Sequence, residues 1–427
     1  MNPLYLKAET SDNSQDFLSR CLGNIKPTEG SDVRPIFDKI IAKINPTLSE
    51  KDLKILKEWL GTQESNLHLF NQVLEENHIK FPPINVETMD LPMFTDYRSA
   101  LALKLIQAKI HLSQKDTNLA TANILEAYKF GRMVRYGERS SILHYMIGTS
   151  IEEQSLRWLQ NILCTSKLSN DTMQQILFTI QLEKIKDEAF ISAIKDEFNN
   201  FTIPIIEYYS KQIGPILKQL EINKKSILDE KESINLITKQ LHRIVDNANS
   251  PWPERDDYVL RDYLQDPGIV AKLEKIENLM FCNGKTKFDI NNVEQVTKWK
   301  ELGKLANGKE NILGKYLVSS STSFESYHKR SVGLRTKVNL TRTLVALIIF
   351  NKKYGYYPKR LIELVESGII SQIPLDLFSN RIVNYSFQDK KIWSTGSDGV
   401  NNQGEEKNDI PLSCELIKKK PEKAPCN

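Results

Sequence analysis

The sequence predicts a mainly α protein: a large helical, hairpin-repeat-like region followed by a small α+β ending with a long helix and a short antiparallel sheet. Three observations carry this. Apolar residues recur at helical spacing through most of the first 320 positions, most clearly at Leu101, Leu105, Ala108 and Leu112. Leu334, Val338, Thr341, Val345 and Ile348 then follow a 4-3-4-3 spacing, one apolar stripe on a long helix. Residues 382–387 and 391–395 read as two strands joined at Gln388-Asp389-Lys390.

In chain order, the spacing predicts helices over 36–44, 49–62 and 65–76. A hairpin follows, 101–113 and 120–134, with Asp116 or Thr117 able to cap its second helix and Ala120, Ile124 and Ala127 as the seam. Gly131 and Gly137 weaken and end that helix; a third spans 141–164, and small residues at the crossing allow close packing. Further helices are expected at 171–182, 184–198, 203–220 (despite Pro204 and Pro215) and 225–245. Residues 247–257 read as a loop, since Pro251 and Pro253 remove two donors. A weaker helix covers 267–280, and 281–312 is polar and poorly periodic. Gly355 stops the long helix, a short helix covers 359–366, residues 373–376 turn the chain, and 396–410 form a polar loop. The expected organisation is a helical region over 1–320, with a break near 247–257, an α+β part over 321–412, and a basic tail over 413–427.

With 427 residues, 40% hydrophobic and 26% charged, the composition is that of a globular protein and excludes disordered, fibrous and multi-pass membrane chains. A net charge of +4, dispersed along the chain, gives no case for nucleic acid. The longest apolar run, Leu344 to Phe350, falls far short of the ~20 residues of a span. The opening Met1-Asn2-Pro3-Leu4-Tyr5-Leu6 lacks the basic and apolar regions of a signal peptide, so the expectation is a soluble chain. Five scattered cysteines form no CxxC pair; the ordinary reading is idle thiols, although Cys414 and Cys426, flanking a Lys-rich stretch, could pair in an oxidising compartment.

Gly284-Lys285-Thr286 resembles the end of a phosphate loop, but Leu279 stands where its glycine must be. The six histidines lie far apart in sequence. Lys129, Arg132, Arg135 and Arg139 crowd one helix end; the expectation is a solvated face complementing the helix dipole, with an anionic-partner site as the alternative. The basic cluster at His328-Lys329-Arg330 is read as solvent-facing.

The C-terminal part carries a constellation. A helix ends in Asn351-Lys352-Lys353-Tyr354-Gly355-Tyr356-Tyr357-Pro358, followed by a short helix with Leu361 to Val365, then Pro374-Leu375-Asp376, a two-strand hairpin, and Trp393-Ser394-Thr395-Gly396-Ser397-Asp398-Gly399, closing at Asn408-Asp409-Ile410. This resembles the C-terminal half of the major pseudopilin of type II secretion systems (protein G-like), with Ser394, Gly396, Asp398, Gly399, Asp409 and Ile410 at the family's spacing over about a fifth of the chain. The whole chain is also similar to uncharacterised planctomycete-type proteins that join a helical region to this ending. They share the Pro3-Leu4-Tyr5 start, which there follows an apolar anchor, and the Asn311-Ile312-Leu313-Gly314 entry.

The resemblance implies a calcium ion in the last loop, held by Asp398, Asp409, Asn408 and the backbone of Thr395, with Asn401, Asn402, Glu405 and Glu406 in reserve. Calcium suits such hard oxygens. Lys407 departs from the family's acidic position and opposes the ion; the plain alternative is a polar hairpin exit in which Asp398-Gly399 is a turn. The matching helix is internal and charged, so the chain does not enter a pilus core as a pseudopilin does. The resemblance therefore implies a non-enzymatic protein-interaction or structural protein of the bacterial cell envelope, with a protein partner. A cytosolic helical scaffold is the alternative. An enzyme with an inter-helical site is the third reading, to be marked by buried carboxylates or histidines with displaced pKa values.

Overall fold

The computed structural model describes residues 25, 27–81, 94–250, 252, 291–307, 309–320, 324–405 and 408–419. Among them the protein is mainly helical with a small C-terminal region of two short antiparallel sheets. The expected helix at 267–280, the segment Gly284-Lys285-Thr286, Cys21, Cys282, Cys426, Glu406 and Lys407 lie outside the described residues.

Three helices open the described chain: α1 (Val33–Ala42), α2 (Glu50–Gly61) and α3 (Glu64–Glu76). Ser49 starts α2 through a capping box with Asp52, satisfying two donors that the first turn leaves open. Next come α4 (Phe94–Ser113), α5 (Thr117–Arg135) and α6 (Ile142–Thr165). Asp116 is the cap of α5, accepting from the Leu119 amide at 3.0 Å. Gly131, expected to weaken α5, is the point where α6 crosses, and the helix ends at Arg135, just before Gly137. A Cβ built on Gly148 would lie 2.5 Å from the Gly131 carbonyl and the Arg135 amide, so the two backbones touch where only hydrogen fits.

Beyond α7 (Asn170–Thr179), helix α8 (Glu188–Glu197) runs through a π turn, Phe198–Thr202, into α9 (Ile203–Gln219). Pro204, which lacks an amide proton, falls where the π turn passes into α9. The helix expected over 225–245 is two, α10 (Lys224–Ile227) and α11 (Glu230–Asn249), because Asp229 caps the second by accepting from the Glu232 amide at 3.1 Å. The polar stretch after 281 contains α12 (Val293–Leu305), which buries Trp299 and Leu302, and leads to α13 (Ile312–Ser320); helical spacing there is weak and the reading missed them.

The long helix is α14 (Phe324–Tyr354), 31 residues or about 46 Å. It crosses three apolar clusters. Phe324 packs with α8–α13, Val332 with Trp252, Leu377 and Phe378, and Leu334 to Phe350 with α1–α7 and the sheet. The predicted stripe is buried, but so is the other side: Arg335, Asn339 and Thr343 are inside too. The apolar packing thus continues across residue 320.

After α15 (Ile362–Glu366), β1 (Leu375–Asp376) pairs with β2 (Arg381–Ile382), and β3 (Asn384–Ser386), β4 (Lys391–Ser394) and β5 (Ile410–Leu412) form the second sheet in that order. β1 and β5 were expected as turn and loop. Of the hairpin row Val383, Tyr385 and Phe387, Val383 is buried in the same cluster as α14, whereas Phe387 is 44% exposed. The last helix, α16 (Cys414–Lys419), packs on α6, where Cys414 forms a disulfide with Cys164 (Cα–Cα 4.9 Å). The Cys414–Cys426 pairing is therefore corrected, and the start of the expected basic tail is a docked helix. No helix among the described residues is long and apolar enough to cross a membrane.

Candidate functional site: a basic groove beside the last loop

Loop 395–410 is organised by a residue read only as part of a turn. Asp376 is fully buried; its Oδ1 accepts from the Phe378 amide (3.0 Å) and the Ser394 hydroxyl (2.6 Å), and its Oδ2 from the Ser379 hydroxyl and from the amide and hydroxyl of Thr395. Thr395 is thereby pinned at the loop's entry. At the exit Asp409, 4% exposed, accepts through Oδ2 from the amides of Asn402 (3.0 Å) and Gly404 (2.7 Å), folding the loop around its carboxylate. Gly396 has φ +68°, and a Cβ there would strike the Asn408 carbonyl, so entry and exit strands touch at a point only glycine permits.

Of the expected metal ligands, the structure brings Thr395, Asn408 and Asp409 to one end of the sheet. It leaves Asp398 on the surface, where its Oδ1 accepts from the Val400 amide at 3.1 Å in an Asx turn. Asp398 in this position does not reach inward. Asp409 Oδ1 is buried and has no hydrogen-bond partner, an oxygen that in kind suits a hard cation. Among the described residues no group of three or more His, Cys, Asp and Glu gathers as a metal centre.

Next to this loop lies an open groove of about 400 Å³. Leu334, Phe378 and Ile410 line its apolar part, Ser397 and Asn408 bring the loop to its edge, and Lys329, Arg330 and Lys337 of α14 bring charge. Glu153 of α6 is the groove's carboxylate and is oversubscribed: Lys337 Nζ lies at 2.6 Å, Arg157 at 2.9 Å and Arg330 at 3.9 Å. Burial raises its pKa, but Lys337 and Arg157 prevail and hold the carboxyl at about 2. Lys329 is exposed beside them, so among the described residues four cations stand against this one carboxylate. The basic cluster at 328–330 is only partly solvent-facing: His328 is buried, its ring stacked on Phe190 with centroids 5.1 Å apart.

The other basic cluster is corrected more fully. Arg135 is not on a solvated face; it and Glu152 are both 0% exposed, 2.7 Å apart. Glu183 accepts from Arg132 (2.6 Å) and Arg135 (3.1 Å) and lies 3.4 Å from Arg335. Asp187 caps α8, accepts from the Tyr145 and Ser331 hydroxyls, and sits 3.5 Å from Arg335. Three arginines and three carboxylates thus balance inside the protein. Burial raises the Glu183 and Asp187 carboxyls, yet the arginines hold both below the usual carboxylate range. Burial also lifts Glu152, against the pull of Arg135, and pushes His144 down to about 4.

These residues were legible in one respect. Glu152 stands in helical phase with Gly148, Ser155 and Leu159, and Arg135 with Tyr128 and Gly131, so a charge on an apolar stripe was the available signal. The groove had none, being assembled from residues up to 257 positions apart.

No family model matches the chain, and no curated protein or solved structure does either.

Proposed function

We propose that this chain is a non-enzymatic interaction protein of the bacterial cell envelope, which holds an acidic segment of a protein partner in the groove beside loop 395–410. The observation that carries the reading is the charge excess there among the described residues: one carboxylate, Glu153, already shared by Lys337, Arg157 and Arg330, with Lys329 next to it. Such a rim favours an anionic partner and speeds its encounter. The Cys164–Cys414 disulfide supports an oxidising compartment, since such bonds are rare where thiols are kept reduced. Of the carboxylates with displaced pKa values, Glu152, Glu183 and Asp187 are buried and do not line the groove, and Glu153, which does, is held ionised by Lys337 and Arg157, which supports ion pairing as its role.

A photo-crosslinking residue at Ser326 or Ser397, both groove-lining, tests this in cells. The expected result is one discrete adduct that disappears with Lys329→Glu and Arg330→Glu. An adduct that survives both reversals, or that forms equally from the exposed Phe178, refutes it.

The calcium implied by the pseudopilin resemblance is assigned to Asp409 Oδ1. Calcium then raises the melting temperature of the parent and of Asp398→Ala, and not of Asp409→Asn, which keeps an oxygen for the two amides. Equal melting of the parent in calcium and in chelator removes the ion from the proposal.

A further inference from the structure

At one end of the molecule the last turn of α14, the turn after it and the tip of the β3–β4 hairpin come together. Phe350, Tyr354 and Tyr356 pack ring against ring, with centroids 4.6, 5.7 and 6.2 Å apart, yet Tyr354 and Tyr356 remain 41% and 56% exposed. The Tyr385 hydroxyl donates to the Pro358 carbonyl at 2.7 Å and ties the hairpin to this turn. Lys390 at the hairpin tip lies 5.5 Å from the Tyr357 ring centre, and Lys353 lies 5.0 Å from that of Tyr354. Strand alternation places Phe387 in the row of Val383 and Tyr385, at its exposed end. Lys359 and Arg360 are exposed on the same turn. Among the described residues three acids stand nearby and keep their charge: Asp389, which accepts from the Ser386 hydroxyl, Glu363, which accepts from the Arg360 amide, and Glu415, which acts on Tyr357; Lys353, Lys359, Arg360 and Lys390 outnumber them.

Single exposed aromatics are ordinary; a joined set of them ringed by lysines marks a contact surface. This set is carried on the last turn of α14, the turn after it and a hairpin tip. Tyrosine places its ring in an apolar layer and its hydroxyl in a wet one, and lysine stems lie along apolar surface with the ammonium outward. Both properties suit the boundary between lipid headgroups and acyl chains, and the lysines favour anionic headgroups. We propose that this end of the protein rests on an anionic lipid surface, with Tyr354, Tyr356 and Phe387 in the headgroup layer and Lys353, Lys359 and Lys390 against its phosphates. None of these residues belongs to the groove, so this surface and the partner reading stand or fall separately.

The test is co-sedimentation of the full chain with phosphatidylcholine vesicles, alone or mixed with phosphatidylglycerol. Binding is expected to the mixed vesicles and to weaken with salt. Each lysine at such a surface raises the partition about fivefold, so Lys353→Glu with Lys390→Glu lowers it at least about twenty-fivefold. Tyr354→Ser with Tyr356→Ser lowers binding and leaves the salt dependence. Lys359→Glu, at a residue outside the ring contacts, lowers binding in the same direction should either pair fail to fold. Three results overturn the proposal: no preference for phosphatidylglycerol, binding undiminished in the variants (other lysines then carry it), or variants that alter self-association in sedimentation velocity instead, which makes the patch a contact between copies.

Discussion

Replacing Glu183 by glutamine removes a charge and almost no volume from the centre of the buried ion cluster. Glu183 accepts from Arg132 at 2.6 Å and Arg135 at 3.1 Å and faces Arg335 at 3.4 Å. Arg135 and Arg335 are at most 1% exposed and keep their charge at any accessible pH. Arg135 retains Glu152, and Arg335 retains Asp187 and the carbonyls of Lys184 and Ile185. Removing one partner of a buried pair costs about 3–5 kcal/mol, and these surviving contacts place the expected loss at the lower end, about 3–4 kcal/mol. At about 2.1 cal/mol/K per residue, 427 residues give an unfolding entropy of about 0.9 kcal/mol/K, so the melting temperature falls by about 4 °C. Arg132, one-fifth exposed, is the internal control: Arg132→Gln costs about 1 kcal/mol or less. Calorimetry and urea unfolding of the three proteins read both numbers. Parent-like melting of Glu183→Gln would mean that water or rearrangement compensates the arginines, and the description of a dry, charge-balanced cluster would be wrong.

Three further outcomes are expected. Reducing Cys164–Cys414, or Cys414→Ser, releases a bridge across 250 residues; the chain-entropy relation puts the ceiling at about 5 kcal/mol, read as a lower urea midpoint in reductant, and an unchanged midpoint refutes a stabilising role. Acid weakens the fold through several groups, His144 and Glu153 among them. Neutral His144, held at about 4 by burial, contributes above its ordinary 6.5 and loses that as pH falls through 4; Glu153, at about 2, contributes above 4.5 and loses that as pH falls toward 2. His144→Gln, which can keep the capping box with Ser141, flattens the melting temperature between pH 6.5 and 4, and an unaltered slope there refutes the assignment. Gly148→Ala forces α5 and α6 apart and lowers stability by about 1–3 kcal/mol by calorimetry, whereas parent-like stability would disprove the backbone contact.

What the sequence disclosed follows from which forces are local. Helical phase and capping are written within a turn or two, so α14 was legible to its ends and α5 and α6 nearly so. The splitting of 225–245 was legible too, had Asp229 been weighed as a cap. Burial of charge is not local. Arg135 and Arg335 look like surface residues until Glu183 and Asp187 arrive from the connection between α7 and α8, about fifty residues from the first arginine and about 150 from the second. The loop at 395–410 was marked by its glycines and acids, yet the residue that shapes its entry, Asp376, needed the fold to bring Ser394 and Thr395 to it. The disulfide was missed for the same reason: Cys164 and Cys414 read as idle thiols, since separation in sequence is a poor guide to separation of Cβ atoms.

That bond also constrains how the molecule is made. Cys164 leaves the ribosome 250 residues ahead of Cys414, and Cys282 appears between them. An oxidant that joins thiols in order of emergence would first offer Cys164 to Cys21 or Cys282, and either product would leave Cys414 without its mate. Maturation therefore runs either through late oxidation, after α6 has buried Cys164 against its neighbours, or through thiol exchange that unmakes an early wrong bond. The earlier such a chain met an oxidant, the more its Cys164–Cys414 bond would have to form by exchange and not by direct oxidation.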